Sequence, residues 1–110
     1  FSHIYLIYHF HLAKAFSLQV KPFLDDTPRG LFATRAPARP NPIGISIVEL
    51  MTIENNGLNI RDIDVVDNTP LLDIKPYVPD FDVREANKIG WLKEKTKKIK
   101  ATIDDGRFSG

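Results

Sequence analysis

The stretch from Gly44 to Val66 constrains this chain more than any other. Gly44 to Ile53 is rich in Ile and Val, Glu54-Asn55-Asn56-Gly57 follows, and Leu58 to Val66 resumes an apolar pattern. Asn and Gly both accept positive φ, so an Asn-Gly pair between such runs predicts two antiparallel strands joined by a tight turn. The chain therefore starts from a hairpin, and the remaining segments are read by whether they extend it.

Most of them do. From Ser2 to His11, Ile4, Leu6, Tyr8 and Phe10 alternate with His3, Tyr5, Ile7, His9 and His11, the period of a strand. Phe16, Leu18 and Val20 alternate too, so a second short strand is expected after a turn near Ala13 to Ala15. Pro22 to Gly30 is loop chemistry, and Leu31 to Thr34 reads as a strand entering a proline-rich connection. Asp67 to Pro70 is a turn. Leu71 to Val78 is extended, with Pro76 suited to an edge or a strand end because it has no amide proton. A helix is expected over residues 82–101, capped by Asp82 with Glu85 three positions on and weakened by Gly90. The reading is a single mainly β domain over 1–110. A small antiparallel sheet over 1–81 closes toward a β-barrel, and a C-terminal helix and lysine-rich tail follow.

Composition narrows the chemistry. At 110 residues there is room for one small core. No apolar run approaches a membrane helix, and the aromatic N-terminus lacks the basic start and cleavage site of a signal peptide. The chain has no cysteine, which excludes disulfides, thiolate nucleophiles and Cys-based zinc sites and fits a cytoplasmic setting. A net charge of +1 means that any nucleic acid must meet a local basic patch. Because the sequence opens on Phe1 inside a strand, an N-terminal part of the domain is expected to be missing.

Five sets of residues are candidates for function. Pro37, Pro40 and Pro42 stiffen the connection that carries Arg35 and Arg39. Their guanidinium forks suit a carboxylate or a phosphate, or they are solvated charges on a rigid loop. Asp67 either accepts hydrogen bonds within its own turn or binds a hydroxyl or amino group. Asp73, Lys75 and Tyr77 share one face of a strand, as a salt-bridge set or as a proton-transfer group. His9 and His11 share a strand face, a geometry some metal-binding barrels use, although aromatic packing or a single ligand contact serves equally. Finally, five lysines between Lys93 and Lys100 form either a phosphate-binding run or a solvated helix face. No G-x-G-x-x-G, P-loop or G-x-S-x-G occurs.

Four segments carry a resemblance to a known family: FSHIYLIYHFH, LFATRAPARPNPIGISIVEL, VVDNTPLLDIKPYVPDFD and IGWL. Over nearly all of Phe1 to Leu92 the chain resembles the TsaA/TrmO family. These are tRNA methyltransferases acting on N6 of threonylcarbamoyl-adenosine beside the anticodon. The resemblance implies a β-barrel methyltransferase fold and a homodimer with S-adenosyl-L-methionine bound near the subunit interface. Neither a metal nor a membrane is expected as a partner. The positions matching the family's cofactor contacts are His11, Leu12, Arg35, Ile45 and the turn Asp67, Asn68, Thr69 and Pro70. The family reads Asp-Gly-Thr-Pro at this turn, and Asn68 replaces the glycine. In this reading Arg35 pairs with the methionine carboxylate or with a tRNA phosphate, Asp67 and Thr69 take polar edges of the cofactor, and Ile45 lies against the adenine. Asp73 or Tyr77 accepts the proton, while Arg39 and Lys75 contact the tRNA. The family also has strands upstream of the position matching Phe1, with a Pro-Arg-Gln segment. Two other readings compete: a non-catalytic homologue that holds cofactor or RNA, and a small metal-binding barrel using His9 and His11.

Overall fold

The computed structural model describes residues 1–22 and 26–93. The strands are β1 (His3–His9), β2 (Gln19–Val20), β3 (Arg29–Gly30), β4 (Ile43–Glu54), β5 (Gly57–Arg61) and β6 (Leu71–Pro76). A 3-10 turn occupies Leu31–Ala33, and a single helical turn, α1, spans Pro79–Asp82. Four strands form one sheet in the order β5-β4-β1-β6, every pairing antiparallel, while β2 and β3 make a separate ribbon. The mainly β expectation holds. Among the described residues no closed barrel is found, and β5 and β6 are the edges of the sheet.

The hairpin forms one residue earlier than Asn-Gly would place it. Asn55 and Asn56 are the central pair, with φ of 49° and 64°, and Gly57 already pairs with Glu54. Two positive φ values in a two-residue loop match the twist of the flanking strands. The return strand ends at Arg61 rather than Val66, because Asp62 turns the backbone to a φ of 73°.

Alternation in β1 sorts the sheet into two faces. Ile4, Leu6 and Tyr8 point inward, opposite Val48, Ser46 and Gly44 of β4. With Val48 they form the buried cluster, and Phe10, Leu50, Ile60, Ile63 and Val65 pack around it. Each fully buried aliphatic side chain stabilises by about 1.5–3 kcal/mol. The Tyr8 hydroxyl, carried into this face, shares a 2.7 Å hydrogen bond with Ser46 Oγ.

Two expected elements are replaced. Leu31 to Thr34 is not a strand, because Thr34 offers the chain a local alternative. Its amide and its hydroxyl both donate to the Leu31 carbonyl, at 3.0 and 2.7 Å. The helix expected from residue 82 is absent over 83–89. Asp82 does cap a helical turn, but from inside α1: its Oδ2 accepts from the amide of Val78 at 2.9 Å. Val83 then leaves the helix in extended geometry. The remainder of that expectation over 94–101, with most of the lysine run, lies outside the described residues.

Candidate functional site

Three segments that are distant in sequence meet at the end of β1. The amide of His9 donates to the carbonyl of Pro70 at 3.0 Å, and the amide of Phe10 donates to that of Pro42 at 2.7 Å. The first bond ties β1 to the Asp67–Pro70 turn, and the second ties it to the proline-rich loop. The chain then turns sharply, with His11 N bonded to His9 O and Ala13 N to Phe10 O. Since β1 ends at His9, His11 leaves the strand and the expected His9–His11 face is broken.

This junction encloses a cleft of about 400 Å³ lined by Phe10, His11, Leu12, Ala13, Pro37, Asp64, Val65, Val66 and Thr69. Nδ1 of His11 is buried without a hydrogen-bond partner. An unpaired buried polar atom costs about 1–3 kcal/mol, which a ligand group bonded to it would offset. Thr69 is fixed by its own turn: its amide and hydroxyl both donate to the Val66 carbonyl. Asn68 holds a φ of 64°, the conformation for which glycine or asparagine is the natural occupant.

Pro37 also lines a second cleft, of about 790 Å³, with Val20, Lys21, Pro22, Phe32, Ala33, Thr34, Arg35, Ala36, Trp91 and Leu92. The loop between the clefts is braced by Arg39, whose Nη1 donates to the carbonyls of Thr34 and Ala36 at 2.9 and 3.1 Å. Its guanidinium also stands 5.8 Å from the Phe32 ring centre.

Of the residues expected to hold cofactor, His11, Leu12 and Thr69 come together in the first cleft, while Arg35 lines the second. Asp67, Asn68 and Pro70 form the turn behind Thr69 and line neither cleft. Ile45 stands on the outer face of the sheet, opposite Ile7. Asp73, Lys75 and Tyr77 share that outer face and also line neither cleft. Tyr77 packs edge-on to Tyr5 and His3. The phenol of Tyr5 is pushed up from its ordinary pKa, first by desolvation and then by the Asp82 and Tyr77 charges. Phe10, Pro37, Asp64, Val65 and Val66 were not singled out from sequence as cleft residues. Asp64, Val65 and Val66 were signalled by proximity to the Asp67 turn, Phe10 by the end of β1, and Pro37 by its place in the stiffened loop. Among the described residues no group of three or more metal-ligating side chains occurs, and no helix is long and apolar enough to cross a membrane.

Asp73 pairs with Lys75 at 3.0 Å. Its carboxyl is held below the usual carboxylate range, first by the hydrogen bond from Lys75, then by the Ile74 amide and by the Lys75 charge. A carboxylate so stabilised is a weaker proton acceptor. Because the folded pKa is depressed, the pair contributes fully above the ordinary value of about 3.9 and is lost as pH falls through the lowered one. Lys75→Met is expected to move the Asp73 titration, followed by NMR of the carboxyl carbon, back up toward that ordinary value. An unmoved midpoint would reject Lys75 as the cause.

Comparison with known proteins bears on these clefts. The family described as tRNA-methyltransferase O N-terminal domain matches residues 1–83. A protein of Pyrococcus abyssi, named as a probable S-adenosyl-L-methionine-binding protein, is 61% identical over 108 residues, covering 98% of this chain and 59% of its own. The human tRNA (adenine(37)-N6)-methyltransferase is 38% identical over 85 residues, 74% of this chain and 19% of its own. The crystal structure of TrmO from Pseudomonas aeruginosa superimposes with a TM-score of 0.64 at 41% identity, over 82% of this chain and 37% of that one. The chain thus spans about 59% of the Pyrococcus relative, and the same share of a relative from Methanothermobacter thermautotrophicus.

Proposed function

The chain belongs to the family of tRNA-methyltransferase O N-terminal domains, and from that premise we propose that it takes part in methyl transfer from S-adenosyl-L-methionine to N6 of threonylcarbamoyl-adenosine in tRNA, beside the anticodon. The observation that carries the reading is the unpartnered Nδ1 of His11 at a cleft built from the segments that match the family. S-adenosyl-L-methionine, when bound, supplies an activated methyl group on a sulfonium sulfur. N6 gives up its proton to solvent as its bond to the methyl carbon forms and the carbon–sulfur bond breaks, and the chain's own residues bind and align the reactants. His11 gives its buried ring nitrogen to a polar edge of the cofactor, and Thr69 and Asp64 offer further polar groups. Phe10, Val65, Val66 and Pro37 form the apolar wall that excludes water. Rigidity matters because alignment of two reactants is worth about 7–11 kcal/mol of barrier at best. The bonds from β1 to Pro70 and Pro42 hold both flanks of the cleft at fixed distance.

The homodimer and the closed barrel of the family belong to the same proposal. Ile43, Ile45 and Ile47 stand 48%, 57% and 47% exposed in a row on the outer sheet face. A continuous apolar row of this kind suits contact with a second subunit or with further chain. Ile45 would lie in that contact. The cytoplasm, where tRNA is modified, is the proposed setting.

Calorimetry with S-adenosyl-L-methionine, followed by a methylation assay on threonylcarbamoylated tRNA with unmodified transcript as control, tests the reading. Heat of binding and methyl incorporation dependent on the modification are expected. Absence of heat at millimolar cofactor would overturn the proposal. Heat without methylation would favour the binding-module reading, which the name of the Pyrococcus relative also fits.

A further inference from the structure

We infer that the second cleft binds an unpaired stretch of RNA, stacking a base at Phe32 and Trp91 and holding a backbone phosphate at Arg35 and Lys21. The inference rests on the methyl-transfer reading, which supplies an RNA substrate, and it assigns the second cleft, beside the one proposed for the cofactor.

Three observations carry it. First, the cleft joins aromatic faces to cations. Phe32 and Trp91 line it, and each ring has a guanidinium beside it: Arg39 at 5.8 Å from Phe32 and Arg29 at 5.5 Å from Trp91. A base stacks on an aromatic ring or on a guanidinium plane, so such pairs extend into a continuous stack. Second, among the described lining residues the charged side chains are Lys21 and Arg35, both cations. A phosphate is matched there, and no acidic side chain stands among the described lining residues to oppose it. Third, the platform is set in advance. Trp91 Nε1 donates to the carbonyl of Ala33 at 2.8 Å across 58 residues, and Arg39 fixes the loop that follows Thr34. Little ordering is then left to the moment of binding.

The position of the cleft also fits. Pro37 belongs to both linings, so RNA held in the larger cleft lies directly beside the cofactor cleft. A methyl donor and its acceptor need this adjacency. A duplex hides its base faces, whereas a loop nucleotide exposes them, so the cleft selects unpaired RNA.

Trp91 is the one tryptophan of the chain, so its fluorescence reports on the cleft directly. Titration of the full chain with a hexameric oligoadenylate is expected to quench it, and the same six adenosines paired with uridines inside a longer duplex clamped by G·C pairs are expected not to. Anisotropy of the labelled hexamer then gives affinities for variants. Trp91→Leu and Phe32→Ser are each expected to weaken binding by about five- to a hundred-fold. Trp91→Phe, which keeps a ring but loses the bond to Ala33, is expected to retain most of it. Arg35→Ala is expected to weaken binding and to lower the salt slope by about 1. If Trp91→Leu fails to fold, Phe32→Ser decides, since that side chain is 72% exposed. Equal binding of duplex, or affinities unchanged in Phe32→Ser and Arg35→Ala, would overturn the inference. Calorimetry with cofactor and the methylation assay on the same preparations separate the two readings. Methylation by the wild type with RNA affinity unchanged in the variants overturns the cleft assignment alone. Cleft-dependent RNA binding with neither cofactor heat nor methylation upholds the cleft and overturns the methyl-transfer reading.

Discussion

Gly44→Ala is expected to destabilise the domain by about 1–3 kcal/mol, a large change for one methyl group. Gly44 pairs with Tyr8 across β1 and β4 on the inward face. A Cβ built there collides with the Tyr8 ring and comes within 2.6 and 2.9 Å of two ring atoms of Phe10. Neither ring is free to yield. Tyr8 is buried with its hydroxyl bonded to Ser46, and the two rings meet edge to face with centres 5.4 Å apart. Displacing them also sacrifices the edge-to-face pair, worth about 0.5–1.5 kcal/mol. For a domain of this size each kcal/mol lowers Tm by roughly 4–8 °C, so thermal unfolding is the readout. Because Phe10 lines the first cleft, cofactor binding should weaken as well. Gly30→Ala is the control. Gly30 has a φ of −61°, and a Cβ there meets nothing within 4 Å, so a change within about 0.5 kcal/mol is expected. Equal losses at both positions would refute the steric account.

The Gly44 result shows which parts of the structure could be read from sequence. Alternation from Ser2 to His11, the record of one buried face, and the Ile- and Val-rich run from Gly44 to Ile53 marked two central strands, which the structure places at His3–His9 and Ile43–Glu54. The positive φ of Asn68 was legible from the substitution in Asp-Asn-Thr-Pro. The requirement at Gly44 was not, since it arises from a ring thirty-six positions away that only the register places opposite. The ends of elements failed for local reasons. Thr34 diverted a strand into a 3-10 turn with its hydroxyl, and Asp62 broke the return strand by adopting positive φ. Proton-acceptor roles for Asp73 and Tyr77 were drawn from a shared strand face, which the structure reproduces. That face is turned away from the core, and neither residue reaches a cleft. The division of Arg35 from His11 was invisible as well, because nothing in the one-dimensional order shows that Pro37 stands between two clefts.

His11→Phe is expected to push binding and stability in opposite directions. The buried Nδ1 has no partner in the folded chain, so replacing the imidazole by an apolar ring removes an unsatisfied group. Stability should stay level or rise by about 1 kcal/mol. Cofactor binding should fall, since the bond that would satisfy this nitrogen is lost. A hydrogen bond of about 1–3 kcal/mol corresponds to roughly five- to a hundred-fold in Kd. Calorimetry with S-adenosyl-L-methionine measures the second effect, and urea unfolding without cofactor measures the first. His11→Asn supplies the sharper comparison, because its amide nitrogen or oxygen sits near the place of Nδ1. It should recover part of the affinity that His11→Phe loses. A structural role for His11 predicts the reverse pattern, with both variants less stable and affinity following stability. An affinity unchanged in His11→Phe would remove this residue from the cofactor cleft and leave Thr69 and Asp64 as its polar side chains.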